Sequence, residues 1–291
     1  MSKKISIFLI TYNHELFIGE CIDSILNQSN LDEIEIIWHD DNSSDRTQAI
    51  GDEALRGKNI QVKRIFKANN RYQKRIPFLL DMLEQVEGEY IALLEGDDFW
   101  IDINKLQLQK DALDTFKDID ICFGRSQVVN LQGTRVNQLL GSYGDTPLNI
   151  PASDVIRGDG GFMHTGSILL RTDIFKNAPA WIFEKQPVGD YIYQVLGSLR
   201  NGALYLPFDF SSWRSQNPNS FTGKYESNIN ANLDFEAEFI RLLKKMQASF
   251  DQKYKADFDQ IIYNHFVTLL GKAIPNNQFG PISKAALYLN S

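Results

Sequence analysis

Residues 91–100 read IALLEGDDFW, an apolar run that ends in three carboxylates within four positions. The run predicts a buried parallel strand. Carboxylates at the carboxyl end of such a strand, here Glu95, Asp97 and Asp98, repel one another and lose hydration, which a divalent cation shared with an anionic ligand would offset. Ligands of open α/β sheets bind in the crevice outside these strand ends. The stretch therefore predicts metal-assisted binding of a phosphorylated ligand. The alternative is an acidic loop in which Asp98 or Asp102 caps the next helix.

Length and composition are typical of an ordinary globular protein. The chain has 291 residues, enough for one large α/β domain with an appendage or for two domains. Hydrophobic residues make up 43% of the sequence and charged residues 23%. The formal charge of -7, without a long basic run, argues against nucleic acid as a partner.

The cysteines and the amino terminus bear on the cellular compartment. Cys21 and Cys122 are flanked by apolar residues, which predicts two core thiols in a reducing compartment. No stretch of the sequence approaches the roughly 20 apolar residues of a membrane span, and residues 1–4 (MSKK) lead into a short strand and not into a signal peptide. The histidines lack the spacing of a zinc finger. We therefore expect a cytoplasmic protein without a zinc site.

The first hundred residues alternate between strands and helices. Strands are predicted at 5–10, 34–38, 60–66 and 90–94, and helices at 15–26, 46–55 and 77–86. This order predicts a doubly wound, mostly parallel sheet. The strand at 34–38 is followed by Asp40 and Asp41, so two strands end in acidic pairs. Because parallel strands point the same way, both pairs should lie at one edge of the sheet.

The pattern is less regular after residue 100. The segments with recognisable patterns are a helix at 105–116, strands at 119–123, 167–170 and 203–208, a helix that opens at 188–190, and helices from 228 to 273. Residues 130–162 are rich in Gly, Asn, Asp and Pro, which predicts irregular structure near the ligand.

Three segments together resemble the inverting family-2 glycosyltransferases with the GT-A fold. They are residues 7–28 (IFLITYNHELFIGECIDSILNQ), 40–47 (DDNSSDRT) and 88–100 (GEYIALLEGDDFW). The last of them, followed by residues 105–107 (KLQ), is similar to members that build bacterial capsule and O-antigen polysaccharides. The resemblance covers residues 1–115 strongly, weakens, and returns at 164–220.

The resemblance implies a fold and a domain organisation. The fold is α/β, a GT-A (Rossmann-like), doubly wound, mixed but mostly parallel sheet flanked by helices, with a C-terminal helical extension. Residues 1–225 would form the glycosyltransferase domain, with a nucleotide-binding half at 1–115 and an acceptor-binding half at 116–225. Residues 226–291 would form the extension.

The resemblance also implies roles in binding the nucleotide sugar. Tyr12 resembles the aromatic residue that packs on the base, and the turn at Thr11 would supply backbone contacts. Asp41 resembles the acceptor for the base N–H, whereas Asp40 would brace the turn. Asp97 is similar to the residue near the ribose. The alternatives are that Tyr12 is a core aromatic residue and that Asp41 only forms the turn.

Further roles concern the metal and the chemistry. Asp98 resembles the direct ligand of a Mn²⁺ or Mg²⁺ ion that bridges to the diphosphate. Asp190 aligns with the catalytic base of the family; its alternative is a helix N-cap. His164, Trp213 and Arg214 fall on the acceptor side, where His164 could equally be a structural histidine.

Two departures from the family pattern affect the site. The usual Ala-Arg-Asn segment is absent, and residues 77–80 (PFLL) stand near its place, so a basic contact to the nucleotide would come from Arg71, Lys74 or Arg75. The late Tyr-Arg-x-His segment reads WRSQ at 213–216, so Gln216 replaces a histidine that is often close to the metal.

The resemblance predicts an inverting, metal-dependent transferase. It would move a sugar from a nucleotide-diphosphate donor, UDP by family habit, to a hydroxyl of a glycan or lipid-linked acceptor in surface polysaccharide biosynthesis. The alternatives are a non-catalytic nucleotide-sugar or carbohydrate-binding protein on the same fold, and a phosphotransfer receiver domain. For the C-terminal helices three roles are open: a homodimer interface, peripheral docking at the inner face of the membrane, or a cover for the core.

Overall fold

The computed structural model describes residues 5–66, 78–215, 217, 220, 223, 225 and 228–290. Within these residues the central feature is a ten-stranded sheet. Its strands are β1 (Ile5–Thr11), β2 (Ile34–Asp40), β3 (Gln61–Phe66), β4 (Tyr90–Glu95), β5 (Phe99–Trp100), β6 (Ile121–Val129), β7 (Arg135–Leu140), β8 (Leu148–Ile150), β9 (Leu169–Arg171) and β10 (Ala203–Arg214).

Helices flank the sheet on both sides. Those that the structure describes are α1 (Ile18–Leu26), α2 (Thr47–Leu55), α3 (Leu79–Leu83), α4 (Lys105–Thr115), α5 (Ala152–Arg157), α6 (Asp190–Ser198), α7 (Ile229–Ser249), α8 (Lys255–Ala273) and α9 (Phe279–Leu289). Short 3-10 turns join them at Leu31–Glu33, Thr165–Ser167, Thr172–Phe175, Ala180–Phe183 and Gln252–Tyr254.

The strand order across the sheet is β3-β2-β1-β4-β9-β6-β10-β5, with β7 beside β6 and β8 beside β10. Strands β3, β2, β1 and β4 are parallel, as the alternation of strands and helices predicted. Strand β9 is antiparallel to both of its neighbours, whereas β6 and β10 are parallel. The predicted mixed, mostly parallel sheet is therefore confirmed, and the acidic ends of β2 and β4 lie at one edge.

The alternation of side chains along β4 divides the core into two parts. Tyr90, Ala92 and Leu94 pack with α1, α2 and α4 on one side of the sheet. Ile91 and Leu93 pack on the other side with α6 and the C-terminal helices. Both faces of the strand are covered, which explains why its sequence is apolar throughout.

Both cysteines are free and buried in the part of the core that contains α1. Burial raises the pKa of Cys122 to about 12, so that this thiol stays protonated at neutral pH. They are core thiols, as predicted.

Three segments differ from the prediction. Residues 130–162, predicted to be irregular, contain β7, β8 and α5. The strand predicted at 203–208 continues to Arg214, and the helix predicted at 77–86 is described only as α3. Strand β7 is exposed along most of its length and exists because it pairs with β6, a contact that no local apolar pattern reveals.

The C-terminal helices cover the second face of the sheet. Leu233, Phe239 and Leu242 of α7 and Leu269 of α8 are buried in the core on that side. Covering the core, one of the three predicted roles, is therefore observed. None of the helices in the described part of the chain combines the length and the apolar character needed to span a membrane.

An ion cluster ties these helices to one another and to an earlier loop. His265 of α8 contacts Glu236 of α7 through Nδ1 at 2.7 Å, and its Nε2 lies 3.2 Å from Asp159 Oδ2. Lys272 Nζ donates to Glu236 Oε1 at 3.1 Å. Burial on its own would lower the pKa of His265, but its contacts with Asp159 and Glu236 outweigh this and raise the pKa to about 9. The imidazole is therefore cationic at neutral pH.

The raised pKa of His265 makes stability depend on pH. The ordinary value is 6.5, so the His265 cation should contribute about 3 kcal/mol to the free energy of unfolding below pH 6.5, and this contribution should be lost as the pH rises through about 9. We expect His265→Gln to be less stable than wild type at pH 6 and nearly equal to it at pH 9.5, as measured by urea unfolding.

The control for this measurement is Lys284→Gln. Lys284 Nζ on α9 lies 2.7 Å from Glu238 Oε1 on α7, and this contact raises the pKa of the lysine above its ordinary value. Its effect on stability should stay constant between pH 6 and 9.5. A His265→Gln effect that is equally constant would contradict the assignment of the charge to His265.

Candidate active site

Three neighbouring parallel strands end side by side at one edge of the sheet. Strand β1 pairs with β2 up to Thr11 and Asp40, and with β4 up to Ile10 and Glu95. The two acidic turns predicted from separate motifs are therefore adjacent, on either side of the turn that follows β1. This is the crevice where open α/β sheets bind ligands.

Hydrogen bonds between side chains lock the first two turns together. Thr11 Oγ1 donates to Asp40 Oδ2 at 2.6 Å and accepts from Trp38 Nε1 at 2.9 Å. Asp40 Oδ1 in turn accepts from the backbone N–H of Ser43 and from Gln48 Nε2. Asp40 thus braces the turn, and the buried Thr11 side chain holds β1 against β2.

Asparagine residues occupy the left-handed positions of these turns. Asn13 has φ +55° and Asn42 has φ +64°, a region that asparagine tolerates better than most residues. The backbone N–H of Asn13 donates to Ser43 Oγ, and that of Ser44 donates to Asn13 Oδ1, both at 2.8 Å. The two turns therefore form one rigid unit.

Tyr12 and Asp41, the residues predicted to bind the nucleobase of the donor, belong to this unit. Tyr12 is half-buried and lies outside both parts of the core, which is not the environment of a core aromatic residue. The backbone N–H of Asp41 donates to Thr11 O at 2.9 Å, and its carboxylate Oδ1 lies 3.8 Å from His39 Nε2. Their role toward a nucleotide stays a prediction.

The third turn carries the acidic cluster. Glu95, Asp97 and Asp98 each offer an oxygen atom, and these atoms lie within 4.8 Å of one another. Such a set of hard oxygen ligands fits Mg²⁺ or Mn²⁺. Asp98 is only 3% exposed, whereas Glu95 is exposed at the surface.

Electrostatics within the cluster favour a bound cation. Partial dehydration by the surrounding protein raises the pKa of Glu95, although its side chain is exposed, and the charges of Asp97, Asp98 and Asp190 raise it further. Burial also raises the pKa of Asp98, and its contact with His164 counteracts this only in part. A positive ion placed among these groups would reverse both shifts.

Arg214 holds the acidic turn in place. Its backbone N–H donates to Asp98 Oδ1 at 2.8 Å, and its Nε donates to the carbonyl oxygen of Asp97 at 2.8 Å. Its terminal nitrogens donate to the carbonyl oxygen of Leu131 and to Glu20 Oε2. With 3% of Arg214 exposed, these contacts make it a brace of the acidic turn, and a direct contact with an acceptor stays a prediction.

His164 contacts the acidic cluster directly. Its Nε2 lies 3.2 Å from Asp98 Oδ2, and its Nδ1 lies 2.9 Å from Ser126 Oγ and 3.3 Å from Ser211 Oγ. The imidazole is thus held between the two serine hydroxyls and the predicted metal ligand. Trp213, also predicted on the acceptor side, is half-buried near the end of β10.

Asp190 is the first residue of α6. The N-cap of this helix is Gly189, so the alternative in which Asp190 is the N-cap does not match the structure. Asp190 Oδ1 accepts from the backbone N–H of Tyr191 at 2.8 Å, and Oδ2 lies 3.5 Å from Thr165 Oγ1. Burial raises the pKa of Asp190, and the charge of Asp159 raises it further.

Asp190 belongs to the same site as the acidic cluster, although about ninety residues separate them in sequence. Thr165 Oγ1 lies 3.5 Å from Asp190 Oδ2, and the adjacent residue, His164, has its Nε2 3.2 Å from Asp98 Oδ2. The structure therefore brings three predicted features to one edge of the sheet: the general base, the metal ligand and the turn that would bind the nucleobase.

Two contacts of Asp97 were not predicted. His14 Nε2 lies 3.7 Å from Asp97 Oδ1, and Asn217 Nδ2 donates to Asp97 Oδ2 at 3.1 Å. His14 directly follows the Thr-Tyr-Asn turn, and this position in the sequence could have marked it as a residue of the site. Asn217 lies in a polar stretch without a pattern. Arg71, Lys74, Arg75 and Gln216, all discussed above, lie outside the described residues.

The model of glycosyl transferase family 2 matches residues 6–177, more than half of the chain. The chain belongs to glycosyl transferase family 2. The matched range includes the three turns and His164, whereas Asp190 and the C-terminal helices lie beyond it.

Curated relatives match part of the chain. An uncharacterized protein of Mycobacterium tuberculosis is 35% identical over 141 residues, which cover 45% of this chain and 37% of the relative. WfgD of Escherichia coli, described as a UDP-Glc:alpha-D-GlcNAc-diphosphoundecaprenol beta-1,3-glucosyltransferase, is 30% identical over 127 residues, covering 43% of this chain and 47% of the relative. The chain thus matches less than half the length of these relatives.

Solved structures share the GT-A fold with this member of family 2. Residues 1–349 of Staphylococcus aureus TarS in complex with UDP-GlcNAc superpose with a TM-score of 0.64 at 19% identity, over 93% of this chain and 74% of that TarS chain. The mannosyltransferase PcManGT from Pyrobaculum calidifontis, in complex with GDP-Man and Mn²⁺, gives a TM-score of 0.59 at 14% identity, over 100% of this chain and 75% of PcManGT. The predicted fold class is confirmed.

Proposed function

We propose that this family-2 protein is a metal-assisted, inverting glycosyltransferase that moves a sugar from a nucleotide-diphosphate donor to a hydroxyl group of a glycan or lipid-linked acceptor. The proposal depends above all on one observation. Strand β1 lies between β2 and β4, so that the turns carrying Asp41 and Asp98 are adjacent. His164 contacts Asp98, and the next residue, Thr165, contacts Asp190.

The first half of the chain would bind the donor. Tyr12 and the Thr11 turn would contact the base, Asp41 would accept its N–H, and Asp97 would face the ribose. Arg71 or Arg75 would supply a basic contact. We propose UDP as the nucleotide, supported by the UDP-sugar in the description of WfgD and in the TarS complex.

Asp98, with Glu95 in the same cluster, would hold the cation. A bound Mn²⁺ or Mg²⁺ would neutralise the charge of the diphosphate leaving group. Support comes from the cluster of carboxylate oxygens and from the Mn²⁺ in the PcManGT complex. Arg214 and His164 would keep Asp98 oriented through their contacts with its two carboxylate oxygens.

Asp190 would act as the general base. Its Oδ1 is fixed by the Tyr191 N–H, which leaves Oδ2 near Thr165 to take the proton of the acceptor hydroxyl. A carboxylate whose pKa is raised is a better base than an exposed one. One base and one direct displacement invert the anomeric configuration, so an α-linked donor would give a β-linked product.

The acceptor would lie on the side of His164 and Trp213, within residues 116–225. A growing bacterial surface polysaccharide, linked to a lipid, is the acceptor we propose, supported by the diphosphoundecaprenol in the description of WfgD. A cytoplasmic location, peripheral attachment at the inner face of the membrane, and a homodimer through residues 226–291 stay predictions.

A thermal-shift screen of nucleotide sugars, each with Mn²⁺ and with chelator, tests the donor half of the proposal. We expect one UDP-sugar to raise the melting temperature selectively and only in the presence of Mn²⁺, because a ligand that binds the folded state stabilises it. Nucleotide sugars that all give the same shift, or none, would contradict it. If a UDP-sugar binds but no acceptor is ever glycosylated, the protein is the non-catalytic binder of the alternative prediction.

A further inference from the structure

The loop at residues 158–163 joins α5 to the turn that carries His164 and Thr165. Its sequence, GDGGFM, contains three glycines, and Asp159 has φ +62°, a conformation that costs energy for a residue with a side chain. The two residues that follow it contact the predicted metal ligand and the predicted base. The loop therefore leads directly into the residues that contact Asp98 and Asp190.

One side of the loop is attached to the helix of the predicted base. Gln194 is buried and lies one turn after Asp190 on α6. Its Nε2 donates to the carbonyl oxygens of Gly160 and Met163 at 3.1 and 3.0 Å, and its Oε1 accepts from the N–H of Met163 at 3.3 Å. The side chain of Gln194 thus ties the loop to α6.

The other side of the loop is attached to the C-terminal helices. His265 Nε2 lies 3.2 Å from Asp159 Oδ2, while Asp159 Oδ1 accepts from the N–H of Gly160 at 2.6 Å. The imidazole is itself fixed by the buried Glu236 through Nδ1 at 2.7 Å. Glu236 also accepts from Lys272 Nζ. The contact is therefore one end of a preorganised ionic chain, and not an isolated surface pair.

The match to glycosyl transferase family 2 ends at residue 177, so it does not include α7 or α8. We propose that these helices nevertheless form part of the catalytic unit, because His265 clamps Asp159 and so fixes the loop that aligns Thr165 and His164 with Asp190 and Asp98. His265 is a positioning residue: it acts through Asp159 and does not touch the reacting groups. This inference rests on the proposed function.

The test uses two single variants and their combination. His265→Gln and Asp159→Asn each remove the ionic contact from one side, and asparagine tolerates the left-handed conformation of residue 159, so the second variant keeps the loop compatible with folding. We expect each to lower kcat about 10-fold with an unchanged KM for the donor, since small misplacement of reacting groups costs one to two orders of magnitude in rate. The double variant should be no slower than the slower single variant, because both changes break one contact.

Hydrogen exchange in the unliganded protein gives a second readout that is independent of catalysis. The backbone amides of residues 159–166 should exchange about 10-fold faster in both single variants, since local opening no longer breaks the ionic contact. Lys284→Gln, which breaks the ion pair between Lys284 of α9 and Glu238 of α7, is the matched control and should change neither kcat nor exchange in this loop.

Wild-type kcat and wild-type loop exchange in both single variants would overturn the inference, and so would losses in kcat that add in the double variant. Failure of the proposed function looks different. In that case the wild-type protein would transfer no sugar, or Asp190→Asn would transfer it at the wild-type rate, while the exchange experiment would still report on the clamp between His265 and Asp159.

Discussion

The Asp190→Asn variant should transfer sugar roughly 10²–10⁴-fold more slowly than wild type, the usual contribution of a general base. Asparagine keeps the shape of the side chain and can still accept the Tyr191 N–H, so the start of α6 should be unchanged. It cannot take a proton from the acceptor hydroxyl. Donor affinity, measured by calorimetry, should stay within about twofold of wild type, because the base acts only as charge develops in the transition state.

The pH dependence of wild-type activity should reflect the ionisation of Asp190. The base must be deprotonated to act, and burial together with Asp159 raises the pKa of Asp190. Activity should therefore fall as the pH drops through a value above the ordinary range of aspartate, and kcat/KM should reach its plateau only above that value. The residual activity of Asp190→Asn should not show this fall at low pH.

Asp173→Asn is the matched control for Asp190. Asp173 also lies in the first turn of a short helix, but it pairs with Lys176 on an exposed surface. This variant should have wild-type kcat and KM. Near wild-type transfer by Asp190→Asn would show that the base is another group.

The Asp98→Asn variant should lose activity by about 10²–10³-fold, comparable to the removal of one electrostatic stabiliser of a transition state. It should also lose the response to Mn²⁺. In the metal-free state its melting temperature should equal or exceed that of wild type, because the substitution removes one of three crowded carboxylates whose charges repel one another. This combination of lost function and retained stability distinguishes a metal ligand from a structural aspartate.

Three measurements check the role of Asp98: calorimetric titration with Mn²⁺, melting temperature with and without Mn²⁺, and the rate in excess chelator. Asp40→Asn is an instructive comparison. Asp40 accepts hydrogen bonds from Thr11, Ser43 and Gln48, so this variant should lose stability in the absence of metal. Wild-type transfer in excess chelator, or unchanged Mn²⁺ affinity in Asp98→Asn, would exclude Asp98 as the ligand.

Much of the fold followed from local pattern. The apolar runs of β1, β2 and β4 and the helices between them were predictable because buried parallel strands and amphipathic helices leave periodic signals. The shared location of Asp41 and Asp98 followed as well, since parallel strands end at the same edge. Strands β7 and β8 were missed because they form by pairing with β6 and β10, and their own sequences carry no local strand pattern.

The contacts that hold the candidate aspartates in place were much less predictable than the aspartates themselves. Arg214 donates to Asp98 across 116 residues and was predicted only as an acceptor-side residue. The contacts of His164 with Asp98 and of His14 with Asp97 cross between turns from different strands. No spacing rule relates residues this far apart, so their partners became visible only when the strands were in register.

Residue types and short-range spacing were sufficient to predict the α/β architecture, to reveal the resemblance to family 2, and to single out the candidate aspartates. The reason is that strand, helix and turn propensities act over a few neighbouring residues. The assembly of Asp190 with the acidic cluster, the bracing by Arg214, and the attachment of the C-terminal helices through His265 and Asp159 depend on the packing of distant segments. These contacts form when burial of the two faces of the sheet brings the segments together, and they turn a set of acidic residues into a candidate active site.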